Sequence, residues 1–191
     1  GNDRYIYQYI SEKYPEDEIK FDISQIKLVT LDIETTAEKG FPDVESASEE
    51  ILAITIQDYT TKEIITWGTR PYETDRENYR YIHCHTEIEL IEKFVQWWEN
   101  YSPEVVTGWN CQLYDIPYLC RRLDRVLGEK WKKSLSPWNG VLEREVFIKG
   151  RKQIAYDIRG IATLDYYDLY QKFTYSAKES YRLDHIASVE L

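Results

Sequence analysis

The stretch Ile26-Lys27-Leu28-Val29-Thr30-Leu31-Asp32-Ile33-Glu34 reads as an apolar β-strand that runs without a break into two carboxylates. Side chains alternate across a strand, so Asp32 and Glu34 share one side of it. Two carboxylates aimed at one point repel each other and stay ionised together only if cations sit between them. A hard divalent ion such as magnesium, which takes oxygen ligands, meets that need. Further along, a second apolar strand at Val105-Val106 opens into Gly108-Trp109-Asn110-Cys111-Gln112-Leu113-Tyr114-Asp115. Asp115 is a third acid that would complete a pocket for metal-assisted phosphate chemistry.

With 191 residues, 42% of them hydrophobic, the chain can bury one good core, so a single main domain is expected. Its longest apolar runs are strand-sized, which argues against a membrane span or a signal peptide. Three cysteines, an odd number without framework spacing, suit a reducing compartment and a cytoplasmic location. Met is absent, so the opening Gly1-Asn2 reads as a remnant and the chain as a piece excised from something longer. A net charge of −10 argues against holding nucleic acid by bulk electrostatics. It leaves room for a small site that grips a few phosphates. Basic residues do cluster locally, at Arg121, Arg122, Arg125, Lys130, Lys132 and Lys133, and again at Lys149, Arg151 and Lys152. Such runs also suit a solvated helix face and a hairpin tip.

Residues 1–25, polar and acidic around Pro15-Glu16-Asp17-Glu18, read as a lead-in from an upstream domain. Strands are expected over 26–34, Ile51 to Tyr59, Glu63 to Trp67 and Tyr81 to Cys84. Thr86 with Glu89 forms a capping box for a helix through about Asn100, with Ile88, Ile91, Val95 and Trp98 on its core face. A helix from about Ile116 to Leu127 stops at Gly128. Residues 141–158 read as a hairpin with Lys149-Gly150-Arg151-Lys152 at its tip. Helices over 163–173 and 181–190 close the chain. Antiparallel strands followed by strand–helix alternation indicate an α/β fold, a mixed sheet flanked by helices.

Taken singly, Asp-Ile-Glu could be a turn cap and the Asn110 to Asp115 segment an ordinary loop-to-helix cap. In this order, each after a buried strand, they resemble the first two exonuclease motifs of family B DNA polymerases. The likeness is greatest to polymerases of T-even-type bacteriophages. Gly40-Phe41-Pro42, Thr107-Gly108-Trp109-Asn110, Leu164-Asp165-Tyr166-Tyr167-Asp168-Leu169-Tyr170 and Ser180-Tyr181-Arg182-Leu183-Asp184 stand where that group has similar words. The resemblance covers nearly the whole chain. It implies an RNase H-like (DnaQ-like) exonuclease fold with an inserted β-hairpin, residues 26–191 forming the 3′-5′ exonuclease domain and 1–25 the lead-in from an N-terminal domain.

The family's proofreading site has four acidic ligands for two divalent ions about 4 Å apart, Mg2+ with Mn2+ as a substitute. Carried over, Asp32 and Glu34 are the first pair and Asp115 the third ligand. The fourth belongs to a Tyr-x-x-x-Asp motif, the third exonuclease motif, which lies beyond the Ser-Tyr-x-Leu segment, and no such motif in that context stands within these residues. Asp165 and Asp168 are tempting substitutes, with Asp168 read as a structural or capping residue. The resemblance further implies that Phe41 wedges against bases at a frayed primer end, although it could equally be a loop anchor. Asn110 and the hairpin tip residues Lys149, Arg151 and Lys152 would contact nucleic acid.

Implied partners are single-stranded or frayed primer-template DNA, the remaining polymerase domains and, through them, a sliding clamp; no membrane is implied. The isolated chain is expected to be catalytically incomplete. Alternatives are a stand-alone exonuclease of the same fold and a non-catalytic nucleic-acid-binding fragment of a split polymerase. His83-Cys84-His85 invites a zinc reading, but no further ligand cluster supports it and a structural role is favoured.

Overall fold

A computed structural model describes residues 5–15, 20–38, 40–148, 150–175 and 177–191. Eight strands are present among them: β1 (Leu28–Thr35), β2 (Ile51–Asp58), β3 (Ile64–Gly68), β4 (Tyr79–His83), β5 (Val105–Gly108), β6 (Val141–Ile148), β7 (Arg151–Ile158) and β8 (Ala162–Asp165). The helices are α1 (Tyr5–Lys13), α2 (Glu87–Tyr101), α3 (Asp115–Val126), α4 (Glu129–Lys133), α5 (Tyr166–Phe173) and α6 (Leu183–Glu190). Six strands form one sheet in the order β4-β3-β2-β1-β5-β8, and β6 pairs with β7 as a separate antiparallel hairpin. The β1–β2 and β2–β3 pairs are antiparallel, whereas β1, β5 and β8 run parallel. This is the mixed RNase H-like sheet that the sequence predicts. The parallel half decides where the site lies, because three adjacent strands end at one edge and ligands bind at such carboxyl ends.

The core follows the strand alternation. Val29, Leu31 and Ile33 of β1 are buried with Ile54 and Ile56 of β2 and Ile65 and Trp67 of β3. Against them lie Leu90, Ile91, Phe94, Val95 and Trp98 of α2 and Leu119 and Leu123 of α3. The α2 capping box forms as expected: Thr86 Oγ1 accepts from the Glu89 amide at 3.2 Å, and Glu89 Oε2 accepts from the His85 amide at 2.7 Å. Its core face is shifted, however. Ile88 is 47% exposed, and Leu90 and Phe94 take the buried positions. At 3.6 residues per turn, Ile88 lies about 90° from the centre of the stripe made by Leu90, Ile91, Phe94, Val95 and Trp98.

Two helix boundaries also need correction, and the expected lead-in contains a helix. The helix expected over 163–173 begins later, because Ala162–Asp165 is strand β8, with Thr163 opposite Val106 and Leu164 opposite Thr107. Ladder bonds to β5 outcompete the local helical pattern, and only residues from Tyr166 onward wind into α5. The last helix starts at Leu183 rather than 181. Within the expected lead-in, Tyr5–Lys13 forms α1, which buries no residue.

One buried ion pair ties the layers together. Glu87, at the start of α2, and Arg122, on α3, meet at 2.7 Å with side chains under a tenth exposed. Arg122 also donates to the carbonyls of Ala47 and Ser48, both at 3.0 Å, while Glu87 Oε1 accepts from the Ile51 amide at 2.8 Å. The loop before β2 is thereby fastened to α3, the helix that opens with Asp115. Removing one partner of a buried pair strands the other charge. Arg122→Ala is therefore expected to cost roughly 3–5 kcal/mol in a urea titration; a loss under about 1 kcal/mol, the range of surface pairs, would contradict this role.

Candidate active site

Alternation in β1 places Leu31 and Ile33 in the core and leaves Asp32 and Glu34 exposed. They stand opposite Thr55 and Ala53 of β2, and the register shifts immediately afterwards, between Glu34 and Thr35. On its other side β1 pairs with β5 only from Leu28–Val105 to Thr30–Thr107. The two strands then part, although they stay close at first. A Cβ on Gly108 would lie 2.7 Å from the Leu31 carbonyl oxygen, so only glycine fits there. Past Gly108 the chain turns through Asn110, whose φ of 62° is left-handed. The Asn110 carbonyl accepts from the Leu113 and Tyr114 amides at 3.1 and 3.0 Å. That turn delivers Asp115 as the first residue of α3.

Asp115 is 4% exposed, and its Oδ1 accepts from the Ile33 amide at 3.1 Å. Beyond the end of the β1–β5 ladder, the Ile33 N–H has this carboxylate for a partner. A residue between Asp32 and Glu34 is thus bonded directly to the third predicted acid. All three sequence-predicted carboxylates come to one corner.

Their electrostatics record the crowding. Burial, then the charge of Asp32, push the Asp115 carboxyl up to about 7, against the lowering effect of the Ile33 amide. Asp32 is also raised, by loss of hydration and then by Glu34, even though part of its side chain meets solvent. The oxygen donors and their mutual repulsion fit a divalent cation, which would relieve both. They do not form a finished cage: among the described residues no group of three or more His, Cys, Asp or Glu side chains is gathered around a metal-sized point. His83 and His85 pack ring against ring at 5.1 Å without a third ligand.

Beside this corner lies a groove of about 1310 Å³, lined among others by Phe41, Asn110, Tyr114, Arg151, Lys152 and Asp165. The three carboxylates adjoin it rather than form its walls. Phe41 is 86% exposed and its ring sits 5.4 Å from that of Tyr114. Arg151 and Lys152 open β7 on the hairpin; Lys152 already pairs with Glu145 at 2.5 Å. Lys149 lies outside the described residues. Four members of the basic run on α3 and α4 are held in ion pairs. Arg121 pairs with Glu143, Arg122 with Glu87, Lys132 with Asp124 and Lys133 with Glu129.

Asp165 has a larger part than its sequence reading suggested. It is 6% exposed and caps α5, with Oδ1 accepting from the Tyr167 and Asn110 amides and Oδ2 from the Gln112 amide, all at 2.9 Å. Two oxygens carrying three N–H bonds have little left for a metal. Asp168, read as a structural or capping residue, is not the cap; it lies exposed in the first turn and pairs with Lys172 at 3.0 Å. An Asp just before a helical run is an N-cap signal, and it could have singled out Asp165. The Asn110 and Gln112 contacts carry no such signal.

The raised Asp115 carboxyl makes a pH prediction. Its proton is held more tightly in the folded than in the unfolded chain, so between about 4 and 7 the native state binds more protons and stability falls as pH rises. In EDTA, Asp115→Asn is expected to melt above the parent at pH 8, by about 2–4 °C for each kcal/mol relieved. The gap should vanish near pH 4, and a variant that melts lower at pH 8 would contradict the assignment. Saturating Mn2+ should remove the parent's disadvantage.

The sequence profile of the DNA polymerase family B exonuclease domain matches residues 4–186. Among curated proteins, the chain is 30% identical to the DNA-directed DNA polymerase of Escherichia phage RB69, over 100% of the chain and 24% of that protein. It is likewise 30% identical to the DNA-directed DNA polymerase of Enterobacteria phage T4, over 95% of the chain and 23% of that protein. To the DNA polymerase catalytic subunit of human herpesvirus 6B it is 28% identical, over 84% of the chain and 17% of that protein. The chain thus spans about a quarter of the length of the phage relatives. With Asp32 and Glu34 on β1, Asp115 opening the helix that follows the adjacent parallel strand, and a family match over nearly its whole length, this chain belongs to the family B DNA polymerase exonuclease domains.

Proposed function

We propose that this chain is the proofreading 3′-5′ exonuclease domain of a replicative polymerase, removing the terminal nucleotide from a single-stranded 3′ end. The observation that carries this reading is the Asp115–Ile33 hydrogen bond, which locks the acid of the second motif onto the strand that bears Asp32 and Glu34. In this reading residues 26–191 are the exonuclease domain and 1–25 the lead-in; the lack of any buried residue in α1 supports that division. The partners are frayed primer-template DNA and the remaining polymerase domains, with a sliding clamp reached through those domains. Three free cysteines suit a cytoplasmic setting.

Asp32, Glu34 and Asp115 would hold Mg2+ or Mn2+, which supplies charge neutralisation and an acidified water at the scissile phosphate. Asp115 already commits Oδ1 to Ile33, so its part is a fixed anchor. Asp32 and Glu34, open to solvent on the same strand side, are free to meet substrate. Phe41, standing out over the groove, offers a ring for an unpaired base, and stacking of this kind tolerates any base. Arg151 and Lys152, with Lys149 beside them in sequence, and Asn110 would contact the strand. Selectivity then comes from fraying, because a mismatched end melts at lower cost.

Among the described residues three motif acids come to the corner and no fourth is assigned, so the isolated chain is expected to digest single-stranded DNA negligibly in Mg2+ or Mn2+. Robust digestion that Asp32→Ala abolishes would show that a fourth acid is not needed. In Mn2+ calorimetry, binding should be lost in Asp32→Ala; a chain that binds no Mn2+ at all would instead be a non-catalytic module. Phe41→Ala should weaken binding of a short single-stranded oligonucleotide by about tenfold, the effect of one lost stacking partner.

A further inference from the structure

We infer that Asp165 is a positioning residue that sets Asp115 in place. Its carboxylate sits at the carboxyl end of β8, opposite Gly108 in the β5–β8 register, where the second motif leaves the sheet. It is almost fully buried, and it gathers three backbone N–H groups from two segments. Tyr167 belongs to the helix that Asp165 caps. Asn110 and Gln112 belong to the loop that runs into Asp115.

One of those contacts is made by Asn110 itself, where the turn is left-handed, and the other by the residue two further on. The same turn supplies the carbonyl that accepts from Leu113 and Tyr114, and Cys111 supplies the one that accepts from Ile116. The first turn of α3 is therefore built on a loop whose outward-facing amides end on Asp165. A short chain of bonds results, from Asp165 to the Asn110–Gln112 backbone, then to the start of α3, and then from Asp115 to Ile33. With three N–H groups on its oxygens, Asp165 acts through this backbone rather than as a ligand.

The assignment of Asp115 to a cation rests on the proposed exonuclease reading, so the test has one arm that does not use a cation. Asp165→Asn keeps the shape but turns one acceptor oxygen into an NH2 group facing a backbone N–H. Amide hydrogen exchange on the full chain is expected to speed up at least tenfold at Asn110, Gln112 and also Ile33, approaching the Ile33 rate of Asp115→Ala. The Ile51 amide, held separately by Glu87, should be unchanged. Unchanged protection at Ile33 with faster exchange at Asn110 and Gln112 would overturn the inference, as would equal acceleration at Ile51. Asp165→Ala serves as the stronger variant if it folds; the Asn variant decides alone if it does not.

In the second arm, Mn2+ calorimetry should show binding weakened about 10- to 100-fold, as for residues that orient a ligand. Complete loss of Mn2+ binding with Ile33 still protected would make Asp165 a ligand and overturn the positioning role. If the parent chain binds no Mn2+, the exonuclease reading fails while the Ile33 amide still decides the role of Asp165.

Discussion

The structure of the site depends on one hydrogen bond, from the Ile33 amide to Asp115 Oδ1. It exists because two parallel strands that begin paired do not end paired. After Thr30–Thr107 the ladder between β1 and β5 stops, and β5 turns away toward α3. A backbone N–H left at such a gap needs an acceptor, and the incoming helix brings one. Gly108 lets β5 stay against the Leu31 carbonyl until the turn begins, and Asp165 gathers the amides of the turn itself. The gap between the strands and the placement of the carboxylate are parts of one arrangement.

That arrangement concentrates negative charge in an acidic chain. Burial and the Asp32 charge raise Asp115, and Glu34 adds to the effect on Asp32, so crowding at the corner favours the protonated carboxyls. The net charge of −10, and the ion pairs that hold several lysines and arginines of α3 and α4, argue against holding nucleic acid by bulk electrostatics. An exposed aromatic ring, cations on the hairpin and the carboxylate corner are the local features that the proposed reading uses instead.

Much of this was legible in the sequence. Alternation in β1 identifies the exposed pair Asp32 and Glu34, the capping box places the start of α2, and the hairpin spans the residues its turn chemistry predicts. Errors arose where a distant partner outweighed local pattern. Thr163 and Leu164 pair with β5 although their sequence neighbours are helical. Arg122 resembles its basic neighbours in sequence, yet it is a buried partner of Glu87, a residue far away along the chain.

By itself, then, the sequence determined which side chains can carry the chemistry, since period and residue type are local properties of the chain. Asp32 and Glu34 follow from strand alternation and Asp115 as the acid that closes the segment after the second strand, whereas Phe41 and the basic tip are picked out by the family resemblance. Tertiary structure alone decided what the remaining acids are bonded to. Asp165 and Asp168 are close neighbours of the same residue type, yet one binds three backbone amides and the other pairs with Lys172 on the surface. The difference is physical: a carboxylate's role depends on which donors the fold brings to it, and the Asn110 and Gln112 amides arrive from the loop that follows a neighbouring strand.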